Sequence, residues 1–216
     1  MIVRDEERNL PNCLESVRGL FDEIVVVDTG STDRTKEIAA SFGARVVDFT
    51  WTDDFAAARN VALDQATGDY TLWLYADEVI EPSHRKNLET LLAQLQPTDM
   101  DTYVLRCVCD TSEGEHLVID QPRLFPLRPE IRWVYRVHEQ FIPALSHAKC
   151  PIRWTNIILR HSGYADPVIH DQQQNLVVPN RELAERQNDP YAYYYLPRWH
   201  SSGSGRRLWI IADSIS

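Results

Sequence analysis

No stretch of this chain approaches the ~18 consecutive apolar residues of a membrane-spanning helix, so no transmembrane segment is expected. Cysteine is scarce, with four in 216 residues: Cys13, Cys107, Cys109 and Cys150. Cys107 and Cys109 would share one face of a strand, and no second pair stands at zinc-site spacing. Reduced thiols in the cytoplasm are therefore the expectation. Positive charge is in deficit. Against 32 acidic residues stand 22 Lys and Arg, a net charge of −10, which argues against broad electrostatic binding to nucleic acid. An acidic chain that takes an anionic nucleotide would need a divalent cation and a few well-placed arginines. Met1-Ile2-Val3-Arg4-Asp5 offers no basic region followed by an apolar stretch, so no secretory signal is expected. There is no internal repeat.

What is present is a soluble, globular composition, 44% apolar, long enough for one sizeable core plus an appendage. Over the first ~95 residues, strand and helix patterns alternate. Met1-Ile2-Val3 reads as the end of a strand, and helical spacing of Leu10, Leu14, Val17 and Phe21 follows Asn9, a candidate N-cap. Residues 23–28 form a buried strand, 33–42 a helix closed by Gly43, 45–48 a third strand and 54–66 a third helix. A fourth strand over 70–74 runs into Tyr75-Ala76-Asp77-Glu78, and a helix over 82–95 begins at Pro82. Such alternation predicts an α/β domain: a mostly parallel sheet with helices on both faces, the strands ending at Val3, Val27, Val47 and Leu74 side by side.

The strand ends share a chemistry. They lead into Arg4-Asp5-Glu6-Glu7, Asp28-Thr29-Gly30-Ser31-Thr32-Asp33, Asp53-Asp54 and Asp77-Glu78. Open α/β sheets bind ligands beyond the carboxyl ends of their strands, so these groups should converge on one cleft. Asp33 and Asp54 are also natural helix N-caps. Asp28 is less so, because it directly ends an apolar strand before a glycine turn; it could accept a hydrogen bond from a base. Arg59-Asn60, within the third helix, could meet a phosphate or simply form a solvated helix face.

These segments carry a resemblance. Ile2-Val3-Arg4-Asp5-Glu6-Glu7, the run from Asp22 to Asp33 with Thr35 beyond it, Ala58-Arg59-Asn60 with Ala62-Leu63, and Ala66-Thr67-Gly68-Asp69-Tyr70 through Asp77-Glu78 resemble family 2 glycosyltransferases of the GT-A fold. The match is close to about residue 96 and looser from Arg123-Leu124-Phe125 to Gly163-Tyr164; several ordered motifs are more specific than one. The resemblance implies a GT-A domain over 1–165 and an incomplete helical segment over 166–216. It implies a nucleotide-diphospho-sugar donor, a divalent cation (Mn²⁺ or Mg²⁺), and inverting transfer to a hydroxyl of a glycan, lipid-linked glycan or protein. By position, Arg4 and Glu6 would line the base and ribose pocket, Asp28 would hold the base, and Arg59 would approach the donor. Asp77 matches the last acid of the DxD motif, a metal ligand in relatives, whereas Tyr75 stands where relatives have the first acid. A phenol with its ordinary pKa near 10 cannot replace a carboxylate charge at pH 7.

Transfer also needs a base for the acceptor proton. Glu139, in Arg136-Val137-His138-Glu139-Gln140, is the candidate; otherwise it pairs with Arg136 or Arg132. His138 either orients Glu139, meets the diphosphate or is structural. His161 could approach the metal from a late loop or be structural. Trp133 and Tyr135 could stack on a sugar or belong to the core.

Strand-like runs at 103–108 and 152–158 fit an acceptor-side half, and 181–186 reads as a helix. Residues 189–196 resemble the opening of a tetratricopeptide-type helix pair whose second helix does not follow, and one incomplete repeat cannot bury a repeat core. Met1-Ile2-Val3 is shorter than the usual ~5–6-residue strand, and relatives carry further apolar residues before it. The short strand, the altered acid motif and the abrupt tail together fit a truncated or degenerating product, or a misread gene boundary. Three functions remain: an active transferase, a nucleotide-sugar-binding pseudoenzyme, and an interaction module built on the C-terminal helices.

Overall fold

The structure, a computed structural model, describes residues 1–110 and 116–161. In chain order the elements are β1 (Ile2–Val3), α1 (Leu10–Ser16), β2 (Val25–Asp28), α2 (Thr35–Ser41), β3 (Arg45–Asp48), α3 (Phe55–Gln65) and β4 (Tyr70–Leu72). There follow β5 (Glu78–Ile80), α4 (Pro82–Leu92), β6 (Thr102–Asp110), β7 (His116–Pro126), α5 (Ile142–His147) and β8 (Ile152–His161). The predicted tail helix and tetratricopeptide-like segment lie outside the described residues.

β2 is the centre of the first sheet because three consecutive valines suit a strand covered on both faces. β1 and β3 flank it in parallel, with Val3 opposite Asp28 and Asp28 opposite Asp48. All three carboxyl ends therefore come level at one edge of the sheet. Side chains alternate across β2. Val26 joins Leu10 and Leu14 of α1 and Ala39 of α2 in one buried cluster, while Val25 shares a cavity wall with Ala62 and Leu63 of α3. Helices thus cover both faces, as the alternating pattern predicts.

The second sheet has the order β4-β7-β6-β8-β5 and is mixed. β6 and β7 form an antiparallel pair, whereas β6 and β8 run parallel. This corrects the expectation that all four N-terminal strands lie side by side. β4 pairs antiparallel with β7, Leu72 opposite Leu124, and has no ladder to β1 among the described residues. Between β1 and β4 lies a cavity of about 120 Å³, lined in part by Met1, Val25, Ala62, Thr71 and Leu72. Its wall also includes Arg59, Trp73 and Trp133.

Local endings follow from side-chain chemistry. Asp54 caps α3, its Oδ1 accepting from the Ala57 amide at 2.8 Å. Asn9 precedes α1 without capping it; its Nδ2 donates to Glu6 instead, at 2.9 Å. α1 stops at Ser16, short of Phe21, and Gly19 at φ +73° turns the chain.

Candidate active site

The base of the site is made by two loops fastened together at the carboxyl ends of β1 and β2. The Asp5 amide donates to Ser31 Oγ at 2.9 Å, and the Thr32 amide to Asp5 Oδ1 at 2.7 Å. The Glu6 amide donates to Thr35 Oγ1 at 2.7 Å and the Glu7 amide to Asp33 Oδ2 at 3.0 Å. Asp33 also accepts from the Thr35 amide, so it organises both loops. Asp28 is 2% exposed, and its Oδ1 accepts from the Gly30 and Ser31 amides at 3.0 and 2.9 Å. Gly30 makes that turn possible with φ +113°, open only to glycine at low cost. Asp28 Oδ2 is buried and without a hydrogen-bond partner among the described residues. Such an acceptor is costly to leave unmade. Arg4 is exposed at the rim. Glu6 is half-buried, and its pKa is raised, first by burial and then by the nearby charges of Asp77, Asp33 and Asp5.

Beyond β4 the chain turns through Tyr75-Ala76-Asp77 into β5, which pairs with the end of β8, Glu78 opposite His161. The turn brings Asp77 Oδ1 within 3.4 Å of His161 Nδ1, with both side chains largely covered. The sequence expectation placed these two at one metal, and they are neighbours. Glu78 is wholly buried, at 0% exposure, with its Oε1 3.8 Å from the same His161 nitrogen. Tyr75 is 36% exposed, its ring centroid 5.0 Å from Arg59 Cζ and 6.1 Å from the His161 ring. Burial of the phenol raises its pKa, so it is neutral at pH 7.

For Arg59 the structure excludes one of the two alternatives. The side chain is 3% exposed, not part of a solvated helix face, and its Nε donates to Glu139 Oε1 at 2.6 Å. Glu139 therefore pairs with neither Arg132 nor Arg136, which meet Asp64 and Asp54 at 3.0 and 3.2 Å. Trp73, Tyr75 and Trp133 surround the Arg59 guanidinium at 4.7, 5.0 and 4.6 Å, and its buried Nη2 has no partner among the described residues. Asn60 is equally structural. Its amide exchanges two 2.9 Å hydrogen bonds with the Trp133 backbone, tying α3 to the acceptor-side segment. Trp133 and Tyr135 are 5% and 8% exposed, core residues and not an open stacking platform. In the run from Trp133 to Glu139, Tyr135 and His138 both have positive φ, +72° and +54°, which is sparsely populated for non-glycine residues.

Sequence reasoning missed Arg123, which meets Glu78 at 2.6 and 2.7 Å with 1% exposure. The available signal was an arginine at the head of the apolar run Leu124-Phe125-Pro126-Leu127, which must be paired if buried.

An α/β domain with acids gathered beyond parallel strand ends, and a mixed sheet completing it, is the GT-A class of nucleotide-sugar-dependent folds. The match of the Glycosyl transferase family 2 model to residues 1–147 makes the chain a member of that family. It is 41% identical over 170 residues to a TPR repeat-containing protein of Synechococcus elongatus, covering 76% of this chain and 41% of that one. It is 28% identical over 167 residues to the SPbeta prophage-derived glycosyltransferase SunS of Bacillus subtilis, covering 76% and 39%. The chain thus spans about two fifths of the length of these relatives. Among solved structures, S. aureus TarS 1–349 in complex with UDP superposes at TM-score 0.59 with 15% identity, over 87% of this chain and 72% of that one. Glucosyl-3-phosphoglycerate synthase from Mycobacterium tuberculosis, in complex with phosphoglyceric acid, gives 0.57 and 17%, over 85% and 77%.

Proposed function

We propose that the chain moves a sugar from a nucleotide-diphosphate donor to an acceptor hydroxyl, with inversion. The observation that carries the donor half is Asp28 Oδ2, a buried acceptor without a partner among the described residues at the carboxyl end of β2. A base N–H satisfies it. Arg4 and Glu6, on the adjoining loop, border the base and ribose. Asp77 and His161 offer one carboxylate and one imidazole, a donor set suited to Mn²⁺ or Mg²⁺. No group of three or more His, Cys, Asp or Glu gathers as a cage among the described residues, which fits an ion completed by substrate phosphates. When bound, such a cation supplies positive charge to the departing diphosphate. Glu139 takes the acceptor proton as the acceptor oxygen bonds to the anomeric carbon and the bond to the diphosphate breaks, with His138 beside it in the strained turn. Inversion follows from a single displacement. The acceptor is a glycan, lipid-linked glycan or protein hydroxyl. Four free, buried cysteines support a cytoplasmic setting, and no described helix is long and apolar enough to cross a membrane.

Calorimetric titration with UDP and other nucleoside diphosphates, with and without Mn²⁺, tests the donor half. Asp28→Asn keeps an acceptor oxygen but loses the charge, so affinity should fall roughly tenfold, the scale of a charge-assisted hydrogen bond. Unchanged affinity would remove Asp28 from the base pocket.

A second reading, donor binding without turnover, is favoured by the close Arg59–Glu139 pair together with Tyr75. A carboxylate oxygen engaged by a guanidinium is not free to receive the acceptor proton. Release of nucleoside diphosphate that depends on both donor and acceptor decides for the transferase; tight binding without release decides for the pseudoenzyme. An interaction module on the C-terminal helices rests on residues outside those described.

A further inference from the structure

Asp77 and Glu78 are adjacent and both near His161 Nδ1, yet Asp77 keeps some exposure and Glu78 almost none. The Glu78 carboxylate is engaged on every side. Arg123 from β7 donates Nη1 to Oε2 at 2.7 Å and Nη2 to Oε1 at 2.6 Å. Oε2 also accepts from the Tyr75 amide at 2.8 Å, and the Glu78 amide returns a bond to the Tyr75 carbonyl at 3.2 Å. This carboxylate closes the turn from Tyr75 to Glu78 from within. Arg123 is itself held, by Gln121 at 2.9 Å and by the Trp73 ring, 3.7 Å from Cζ. Directly above the pair, Glu78 Oε1 lies 3.8 Å from His161 Nδ1, the atom that faces Asp77.

We propose that Arg123 is a positioning residue: through Glu78 it sets the turn that places Asp77 against His161. The physical reason is the poor return of such a pair as a stabiliser. Taking two charges fully out of water costs nearly what their attraction recovers, and well-packed apolar replacements are often neutral or stabilising. What a bidentate guanidinium–carboxylate pair supplies that apolar residues cannot is fixed direction. Here the direction is transmitted to a turn of four residues carrying one cation-facing acid. The inference rests on the proposed cation site, and the experiment separates the two.

Mn²⁺ alone is the probe, its free fraction read by electron paramagnetic resonance against the full chain, with thermal unfolding in parallel. The parent should bind Mn²⁺ and Asp77→Asn should bind it much more weakly. If the parent does not bind, or Asp77→Asn binds equally, the cation site fails and the positioning role with it. Given that site, Arg123→Lys keeps the charge and loses the two-pronged geometry. The double replacement Arg123→Met with Glu78→Leu removes the buried charges altogether. Both should fold with midpoints near the parent's and bind Mn²⁺ at least tenfold more weakly. Parent-like affinity in either folded variant overturns the proposal while leaving the cation site intact. Loss of folding in both overturns it too, because the pair would then be needed for stability.

Discussion

Glu139→Gln lowers turnover by about 10²–10⁴-fold, the range of general-base contributions, while donor affinity stays near the parent value. The amide keeps an oxygen for Arg59 Nε, now 2.6 Å from Glu139 Oε1, so the packing among Trp73, Tyr75 and Trp133 survives. What it loses is the capacity to accept a proton as that proton leaves the acceptor hydroxyl. Glu139→Ala is the wrong test of the same idea. It would strand a guanidinium that is 3% exposed, and breaking a buried pair costs about 3–5 kcal/mol. Kinetics at saturating acceptor distinguish the cases, since a base acting in the transition state changes kcat and kcat/KM together. Unchanged kcat in Glu139→Gln would take Glu139 out of the mechanism. Glu78 cannot replace it, being wholly buried against Arg123, which leaves Asp77 as the alternative.

Tyr75→Asp strengthens metal-dependent donor binding by roughly ten- to a hundredfold, the scale of one charge-assisted contact. The backbone tolerates the change, because Tyr75 is fastened by its amide to Glu78 and by its carbonyl to the Cys13 thiol, at 2.8 and 3.3 Å. An aspartate there meets Asp77 and a cation on one side and Arg59 on the other, whose Nη2 is buried without a partner among the described residues. Without metal, the new carboxylate is repelled by Asp77 and Glu6 and drawn to Arg59, so the gain vanishes in chelator. Loss of the ring forfeits a cation–π contact of about 0.5–2 kcal/mol, which Tyr75→Phe retains along with the parent's donor affinity. Equal donor affinity of parent and Tyr75→Asp across a Mn²⁺ titration would mean that the tyrosine is accommodated and the parent complete.

The legible part of this molecule is the part governed by nearest neighbours along the chain. Val25 to Asp28 reads as a central strand because β-branched residues favour that backbone, and Asp54 reads as a cap because its side chain reaches its own helix. The sequence alone names Asp28 for the base, and Asp77 and His161 for the metal. The structure leaves Asp28 with an open oxygen and sets the other two 3.4 Å apart. The partner of Arg59 was not legible because helical spacing tells which face a residue shares, not what crosses above it. Here Glu139, eighty residues onward, takes the arginine and closes that face.

The sequence by itself determined the alternating units, the acidic strand ends and the family, since each is written in short-range pattern and ordered motif. Tertiary structure alone decided that Glu78 turns inward to Arg123, that Arg59 pairs with Glu139, and that β4 joins the second sheet and not β1. The reason is the same in each case. Buried charges and strand edges must be satisfied, but nothing local specifies by which of many distant partners. That choice is made only when the strands and loops that carry those partners are brought together.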